Sequence, residues 1–530
     1  MNGAQALLQA LVEEGVKLCI ANPGTSEMHF VAGLDSVPEM RGVLGLFEGV
    51  VTGTADGYGR MTKTPAATLL HLGPGLGNGI ANLHNARRAN TPVVNIVGDH
   101  ATYHKRYDAP LETDIQSLAA PVSGWYRCCE QPETLLRDVK EAVAAAVGPP
   151  GKVATLVVPA DFSWTELPQT NPSQQQLFEH SRNQARTSPK PSVTETAEEI
   201  AKVLSCGEPS IVLLGGNALE EKGLLAASRI ANATGAKLLC ETFPARLERG
   251  CGLPSIERVA YLSELAVMQL EGAKHLVLAG AKAPVSFFAY PGKPSYLVPQ
   301  GCSVHVLAEP DGNTVNGAGD VLRDLADLLG AEKIKSTTAT GTKANEKPTG
   351  QLTPETLAGA IGALLPEGAI VSDESNTCGL FVPQYTKTSP RHSWLFLTGG
   401  AIGQGMPLAT GAGLACPNRK VLSLEADGSA MYTLQALWTQ AREGLDVTTV
   451  ILDNGSYALL QLELSRVGVG TPGHKALEML DLSRPDIDFV SLANGMGVEA
   501  ARADTAEDFT ARLEYGLNTP GPYLIQARLK

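Results

Sequence analysis

Apolar positions along this chain fall into two kinds of run. Short continuous ones, "VKLCIANPG", "AATLLHLGPG" and "TPVVNIVGDH" in the first third, each stop at turn residues. "SIVLLGGNA", "AKLLCETF", "KHLVLAGAKAP" and "SVHVLAEPD" repeat the pattern in the middle. "AIVSDES", "KVLSLEADGS", "VTTVILDNGS" and "YLIQARLK" repeat it at the end. Helix-like segments lie between them, beginning with "MNGAQALLQALVEEGV" at the N-terminus. Continuous apolar strands separated by helices predict parallel sheets covered on both faces.

Two polar stretches interrupt the alternation. Glu166 to Val193 is Pro- and Gln-rich, and Ala331 to Leu352 is Lys- and Thr-rich. Neither holds enough large apolar residues to fold alone, so both read as linkers. They divide the chain into about 1–165, 194–330 and 353–530, and the expected fold class is α/β with three doubly wound parallel-sheet domains. A chain of 530 residues is also too long for one core.

Composition narrows the function. The chain is 43% hydrophobic and 18% charged, as expected of a soluble globular protein, and its net charge of −13 offers a nucleic acid no electrostatic footing. No apolar run approaches the roughly 20 residues a membrane span needs. The N-terminal segment has no basic leader or cleavage site, and the nine cysteines include no CxxC pair. A reduced, cytoplasmic chain is the expectation.

Chemistry concentrates where strands end. "KVLSLEAD" reads as a strand, "SAMYTLQALWTQAREG" as a crossover helix and "VTTVILDN" as the next strand. Asp427 and Asn454, 27 residues apart, then leave one sheet edge on the order of 5–10 Å from each other. A carboxylate, an amide oxygen and a backbone carbonyl suit Mg²⁺, which completes its shell with phosphate and water. The Gly428 and Ser429 amides open a helix and can meet a phosphate. Two ordinary βα turns would carry the same residues as helix caps.

Asp-Gly-Ser followed by Asn-Gly-Ser resembles the metal and diphosphate motif of thiamine diphosphate (ThDP) enzymes. Ala426 and Asp453 depart from the usual Gly-Asp-Gly and Asn-Asn forms. "GLFEGVVTGTADGYGR" resembles the pyrimidine-binding domain of the same enzymes. The likeness extends over nearly the whole chain and is closest to the acetolactate synthase and benzoylformate decarboxylase group. It implies an N-terminal pyrimidine-binding domain, a middle domain and a C-terminal diphosphate-binding domain. It makes Asp427, Asn454 and Ser456 the Mg²⁺ ligands, the last through its carbonyl. Glu48 becomes the catalytic partner of pyrimidine N1′, promoting removal of the thiazolium C2 proton. His71 becomes a second catalytic residue. Thr25, Asn78, Asn376, Thr377, Gly400, Ile402, Gly428, Ser429 and Tyr457 become cofactor contacts. Ile402 would force the two cofactor rings into a V, and the Gly400 carbonyl would accept from the 4′-amino group.

The resemblance further implies a small 2-oxo acid substrate, a carbonyl acceptor, and a homodimer or homotetramer with sites between subunits. FAD in the middle domain rests only on "LLGGNA", a single Gly-Gly turn. His29, His100 and His104 lie near strand ends without an assigned role. Benzoylformate decarboxylases carry a second His in a middle-domain loop. The matching stretch here has none between His275 and His305, and Phe287, Phe288 and Tyr290 occupy it instead. Carboligation with pyruvate as donor is therefore expected to outrun release of an aldehyde. A benzoylformate decarboxylase-like 2-oxo acid decarboxylase, a non-catalytic subunit of the same fold and a nicotinamide-dependent dehydrogenase are the rival classes. The intact Glu48, Asp427 and Asn454 argue against the second rival, and the absence of a well-placed GxGxxG argues against the third.

Overall fold

Strands this continuously apolar cannot leave a face in water, and the chain covers them with helices in three sheets. The computed structural model describes residues 1–167, 193–310, 317–341, 346–468 and 470–529. The first sheet contains β1 (Leu18–Asn22), β2 (Arg41–Leu44), β3 (Ala66–Leu70), β4 (Val93–Asp99), β5 (Trp125–Cys128) and β6 (Val153–Pro159). Its order is β2-β1-β3-β4-β6-β5, parallel throughout. The middle segment supplies β7 (Ser210–Leu214), β8 (Lys237–Cys240), β9 (Leu247–Arg249), β10 (Glu257–Arg258), β11 (His275–Ala279) and β12 (Ser303–Ala308). Five of these form the second sheet, in the order β10-β8-β7-β11-β12.

The third sheet takes β13 (Ile370–Glu374), β14 (His392–Phe396), β15 (Val421–Ala426), β16 (Val447–Asp453), β17 (Glu499–Ala503) and β18 (Tyr523–Arg528). Its order is β17-β18-β16-β15-β13-β14-β9, so β9 crosses from the middle segment and pairs antiparallel with β14. The neighbouring pair β15 and β16, which the Asp427–Asn454 argument needs, is present and parallel. The crossover expected as one helix is broken into Asp427–Ala430 and Ala436–Glu443. Thr433, in the gap, donates its hydroxyl to the Gly403 carbonyl at 2.9 Å, which fixes the bend.

The stretch after Ala331, expected as a linker, is strapped to the middle segment over part of its length. Ser336 donates to the Leu225 carbonyl at 3.0 Å, and the Thr337 amide to Ser228 Oγ at 2.8 Å. The expected linker at 166–193 lies, beyond its ends, outside the described residues. At the N-terminus the predicted helix runs Gly3–Glu13, closed by an Asn2–Gln5 capping box.

One crossing joins the first unit to the third. Helix Glu48–Thr62 lies on helix Gly405–Ala415 at Gly57 and Gly411. A Cβ on Gly57 would stand 2.1 Å from the Leu408 carbonyl oxygen, and one on Gly411 2.0 Å from that of Thr54, so only glycine permits this approach. Beside it, Asp56 and Arg60 form a buried bidentate pair at 2.6 and 2.9 Å. The guanidinium also donates to the Phe396 carbonyl (2.8 Å), Thr398 Oγ1 (2.9 Å) and the Ala245 carbonyl (3.1 Å). Gln404 Nε2 and Thr91 Oγ1 each donate to the Asp56 carboxylate at 2.6 Å.

Arg60→Met leaves the Asp56 charge buried without its cation. We expect it to lower the unfolding free energy by roughly 3–5 kcal/mol; an equilibrium urea curve superimposing on that of the wild type would contradict the latch.

Candidate active site

Glu48 opens its helix directly after the extended Phe47, which puts its carboxylate at the positive end of the macrodipole. It is only 8% exposed, and Asn78 Nδ2 donates to its Oε2 at 3.0 Å. Both residues were expected at the site; the structure makes one the partner of the other. His71 caps the next helix, Leu72–Arg88. A Cβ built on Gly75 would lie 3.4 Å from Glu48 Oε1 and equally far from His71 Cβ, so the two candidate catalytic side chains flank one glycine.

His71 is not a free loop histidine. Its Nδ1 lies 2.8 Å from Glu27 Oε2 and 3.2 Å from Ser26 Oγ. Glu27 is 3% exposed and also accepts from the Gly24 amide at 2.8 Å and from Ser26 Oγ at 2.7 Å. A buried carboxylate on Nδ1 fixes the ring and favours the tautomer with its proton on that nitrogen. Glu27 was not foreseen, although it lies in the turn just past "VKLCIANPG". Thr25 begins that turn with its own side chain exposed. His29 packs on Trp164 at 5.6 Å, while His100 and His104 pack on each other at 5.4 Å.

Gly400 and Ile402 lie on the loop between β14 and helix Gly405–Ala415. Helix Leu72–Arg88 grips this loop: Asn85 Nδ2 donates to the Ala401 carbonyl at 2.8 Å, and His84 Nε2 lies 3.1 Å from the Gly399 carbonyl. Asn82 Nδ2 bridges the Gly49 carbonyl (2.8 Å) and the Gly403 carbonyl (3.2 Å). Within one chain, the Glu48 helix start and the Ile402 loop therefore share an amide. Phe287 reaches the loop from the middle segment, its Cζ 2.6 Å from where a Gly400 Cβ would stand. It clusters with Tyr261 (5.3 Å), Phe243 (5.8 Å) and Phe288 (4.9 Å). Tyr290, expected to add apolar surface, instead donates its hydroxyl to Glu463 at 2.6 Å, tying this segment to helix Ala458–Arg466.

Asp427 and Asn454 emerge together. Asp427 is 3% exposed; its carboxylate accepts the Gly428 amide at 2.8 Å and the Gly455 amide at 2.7 Å. Burial raises its pKa above the usual carboxylate range, and those two N–H groups pull it back. Among the described residues no Lys or Arg pairs with it, which leaves the charge available to a metal ion. Asn454 Oδ1 accepts from the Ser456 amide at 3.0 Å, and its Nδ2 donates to Cys378 Sγ at 3.2 Å. A carboxylate, an amide oxygen and the Ser456 carbonyl form a hard-oxygen donor set, which fits Mg²⁺. Asn376 Nδ2 donates to Ser429 Oγ at 3.1 Å, beside the half-buried Thr377. The Tyr457 ring packs against Gly428.

Beneath the Gly400 loop lie two buried acids the sequence reading passed over. Glu374 accepts the Gly403 amide at 2.7 Å and the Gly405 amide at 2.6 Å. Glu425 accepts from Ser423 Oγ at 2.9 Å. Burial raises the pKa of both, and Glu374 raises Glu425 further. A Glu inside a continuous apolar strand, as in "IVSDE" and "VLSLEA", was the available signal. At the Gly215–Gly216 turn, where the FAD expectation rests, the Gly216 amide donates to Glu241 at 3.3 Å.

Comparison with known proteins gives a family for both ends of the chain. Residues 1–118 match the family described as thiamine pyrophosphate enzyme, N-terminal TPP binding domain, and residues 377–527 the corresponding C-terminal TPP binding domain. The chain is 56% identical over 528 residues to a Mycobacterium tuberculosis protein named "Putative acetolactate synthase large subunit IlvX", covering 99% of this chain and 98% of that one. It is 29% identical to a Pseudomonas aeruginosa benzoylformate decarboxylase, covering 98% and 97%. Among solved structures it is similar to the thiamine diphosphate-dependent 4-hydroxybenzoylformate decarboxylase of Rhodococcus jostii RHA1. The TM-score is 0.83 at 25% identity, covering 100% and 99% of the two chains.

The Glu374–Glu425 pair carries a pH prediction. Both carboxyls hold protons more firmly folded than unfolded. At these two positions the folded chain therefore binds more protons than the unfolded one from the ordinary value of 4.5 upward, and their contribution to stability falls as pH rises through that window. Glu425→Gln removes one of the two titrations. The variant should gain stability over wild type near pH 8 and much less near pH 5. Parallel Tm-against-pH profiles for the two proteins would contradict this.

Proposed function

Because the chain belongs to the thiamine pyrophosphate enzyme family, we propose that it decarboxylates a small 2-oxo acid and joins the remaining acyl unit to a second carbonyl compound. Pyruvate is the first donor to try. ThDP, when bound, supplies the carbon nucleophile and the electron sink for loss of CO₂. The chain's own groups do the rest. Asp427, Asn454 and the Ser456 carbonyl hold Mg²⁺, while Gly428, Ser429, Asn376 and Thr377 meet the diphosphate. Glu48, oriented by Asn78, holds a proton at pyrimidine N1′. The Gly400 carbonyl would accept from the 4′-amino group, and Ile402 would support the cofactor rings. His71, its Nδ1 engaged by Glu27, is the candidate proton carrier at the substrate.

The observation that carries carboligation over aldehyde release is the wall beside Gly400. Phe287 closes that side with an aromatic ring, and no His lies between His275 and His305. An apolar wall shelters an acceptor better than it delivers protons. The proposal includes a homodimer or homotetramer. Leu46, Met431 and Tyr432 are 46%, 45% and 52% exposed near the Glu48 helix start and the Gly403 edge, apolar surface that a second subunit would cover. A second reading, decarboxylation with release of an aldehyde, is favoured by the His71–Glu27 pair and by relatives named as benzoylformate decarboxylases.

Glu48→Gln should leave ThDP affinity within a few-fold of wild type. It should slow exchange of the C2 proton, followed by NMR after acid quench, by about 10²–10⁴-fold. Exchange at the wild-type rate would refute the role of Glu48.

The two product readings separate in one experiment. Incubated with ThDP, Mg²⁺ and pyruvate or benzoylformate, the enzyme is expected to yield acetolactate and acetoin from pyruvate in excess of free acetaldehyde. Dominant release of acetaldehyde or benzaldehyde would reject carboligation and favour the second reading.

A further inference from the structure

At the amino ends of the second sheet's strands, away from the Phe287 wall, three metal-ligating side chains converge. Helix Val193–Leu204 ends there, and Cys206-Gly207-Glu208 turns into β7. Gly207 has φ +82°, a left-handed conformation that lets the chain reverse between the two flanking side chains. Pro209 accepts the Lys274 amide through its carbonyl at 2.8 Å, fixing the turn beside β11, and His275 opens that strand.

His275 Nε2 lies 2.9 Å from Glu208 Oε2 and 3.8 Å from Cys206 Sγ. Two ligands at about 2.0–2.3 Å around a tetrahedral zinc ion stand roughly 3.5 Å apart, so these separations bracket the required value. All three ligand atoms lie within 4.8 Å of one another. The Glu208 amide donates to Cys206 Sγ at 3.5 Å. On the other side of the imidazole, His275 Nδ1 lies 3.1 Å from His305 Nε2. A partner on the far nitrogen is what orients metal-ligating histidines and fixes their tautomer.

We propose that Cys206, Glu208 and His275 bind a zinc ion, with His305 holding the His275 ring and water completing the tetrahedron. Thiolate, imidazole and carboxylate together select zinc over the hard cations that suit Asp427 and Asn454. Binding releases the thiol proton to solvent, and His275 coordinates through Nε2 with its one ring proton on Nδ1, facing His305 Nε2. The ion joins the end of helix Val193–Leu204 to β11, so it acts on the stability of the middle segment and not on the chemistry at Glu48.

The test uses the full chain saturated with Mg²⁺ and ThDP and free of other transition metals, with Co²⁺ alone as the spectroscopic probe. One equivalent of Co²⁺ per chain should give the thiolate-to-cobalt absorption of a tetrahedral site, and Zn²⁺ should displace it. Cys206→Ser should abolish that band, and His305→Ala should weaken Co²⁺ binding about 10–100-fold. Zn²⁺ should raise the Tm of wild type and leave that of Cys206→Ser unchanged. Retained ThDP binding by each variant establishes that it is folded. No thiolate band, a band that survives Cys206→Ser, or Co²⁺ binding that does not saturate at one equivalent would overturn the site.

Discussion

The crossing of helix Glu48–Thr62 over helix Gly405–Ala415 is the constraint from which the rest of the architecture follows. Backbones approach closely only because Gly57 and Gly411 face carbonyl oxygens. That approach buries Asp56 and Arg60, and a buried ion pair is tolerable only when its remaining hydrogen-bonding capacity is used. Here Phe396, Thr398, Gln404, Thr91 and Ala245 use it. Because those partners come from all three segments, one electrostatic requirement sets how the units sit together. The helix start that carries Glu48 is thereby held beside the loop that carries Ile402.

Among the described residues, the site gathers acids without Lys or Arg partners. Glu27, Glu48, Glu374, Glu425 and Asp427 are all buried, and those with resolved hydrogen bonds are held by amides, hydroxyls or His71. Such an arrangement costs stability in the absence of protons or a metal ion. Three of them have an outlet in the proposed function: a shared proton for Glu48, an orienting contact for Glu27, a cation for Asp427. Glu374 and Glu425 are given no role toward the cofactor in that proposal. Glu374 holds the Gly403 and Gly405 amides from below, and Glu425 lies against Gly405 beside it.

Much of this was legible in the one-dimensional pattern. Continuous apolar strands predicted parallel sheets, and a strand–helix–strand unit forces Asp427 and Asn454 onto one edge whatever the rest of the chain does. Glu48 and His71 came from the family resemblance and not from the pattern; the structure puts them at a helix start and just past the next strand end. Strands such as β14, with buried His and Ser, broke the apolar signal and were missed; their polar groups find partners, His392 Nδ1 on the Pro390 carbonyl at 2.7 Å and Ser393 Oγ on Glu248 at 2.9 Å.

By itself, then, the sequence determined the three-sheet α/β class and the residues that leave strand ends, because period and connection length are local properties. Only the tertiary structure decided which of those ends meet. The clasp of His71 by Glu27, the Asn82 bridge from Gly49 to Gly403, the Phe287 ring against Gly400 and the transfer of β9 to the third sheet join positions far apart in the chain. Their distances depend on how sheets and helices pack, and no pattern along the chain encodes that packing.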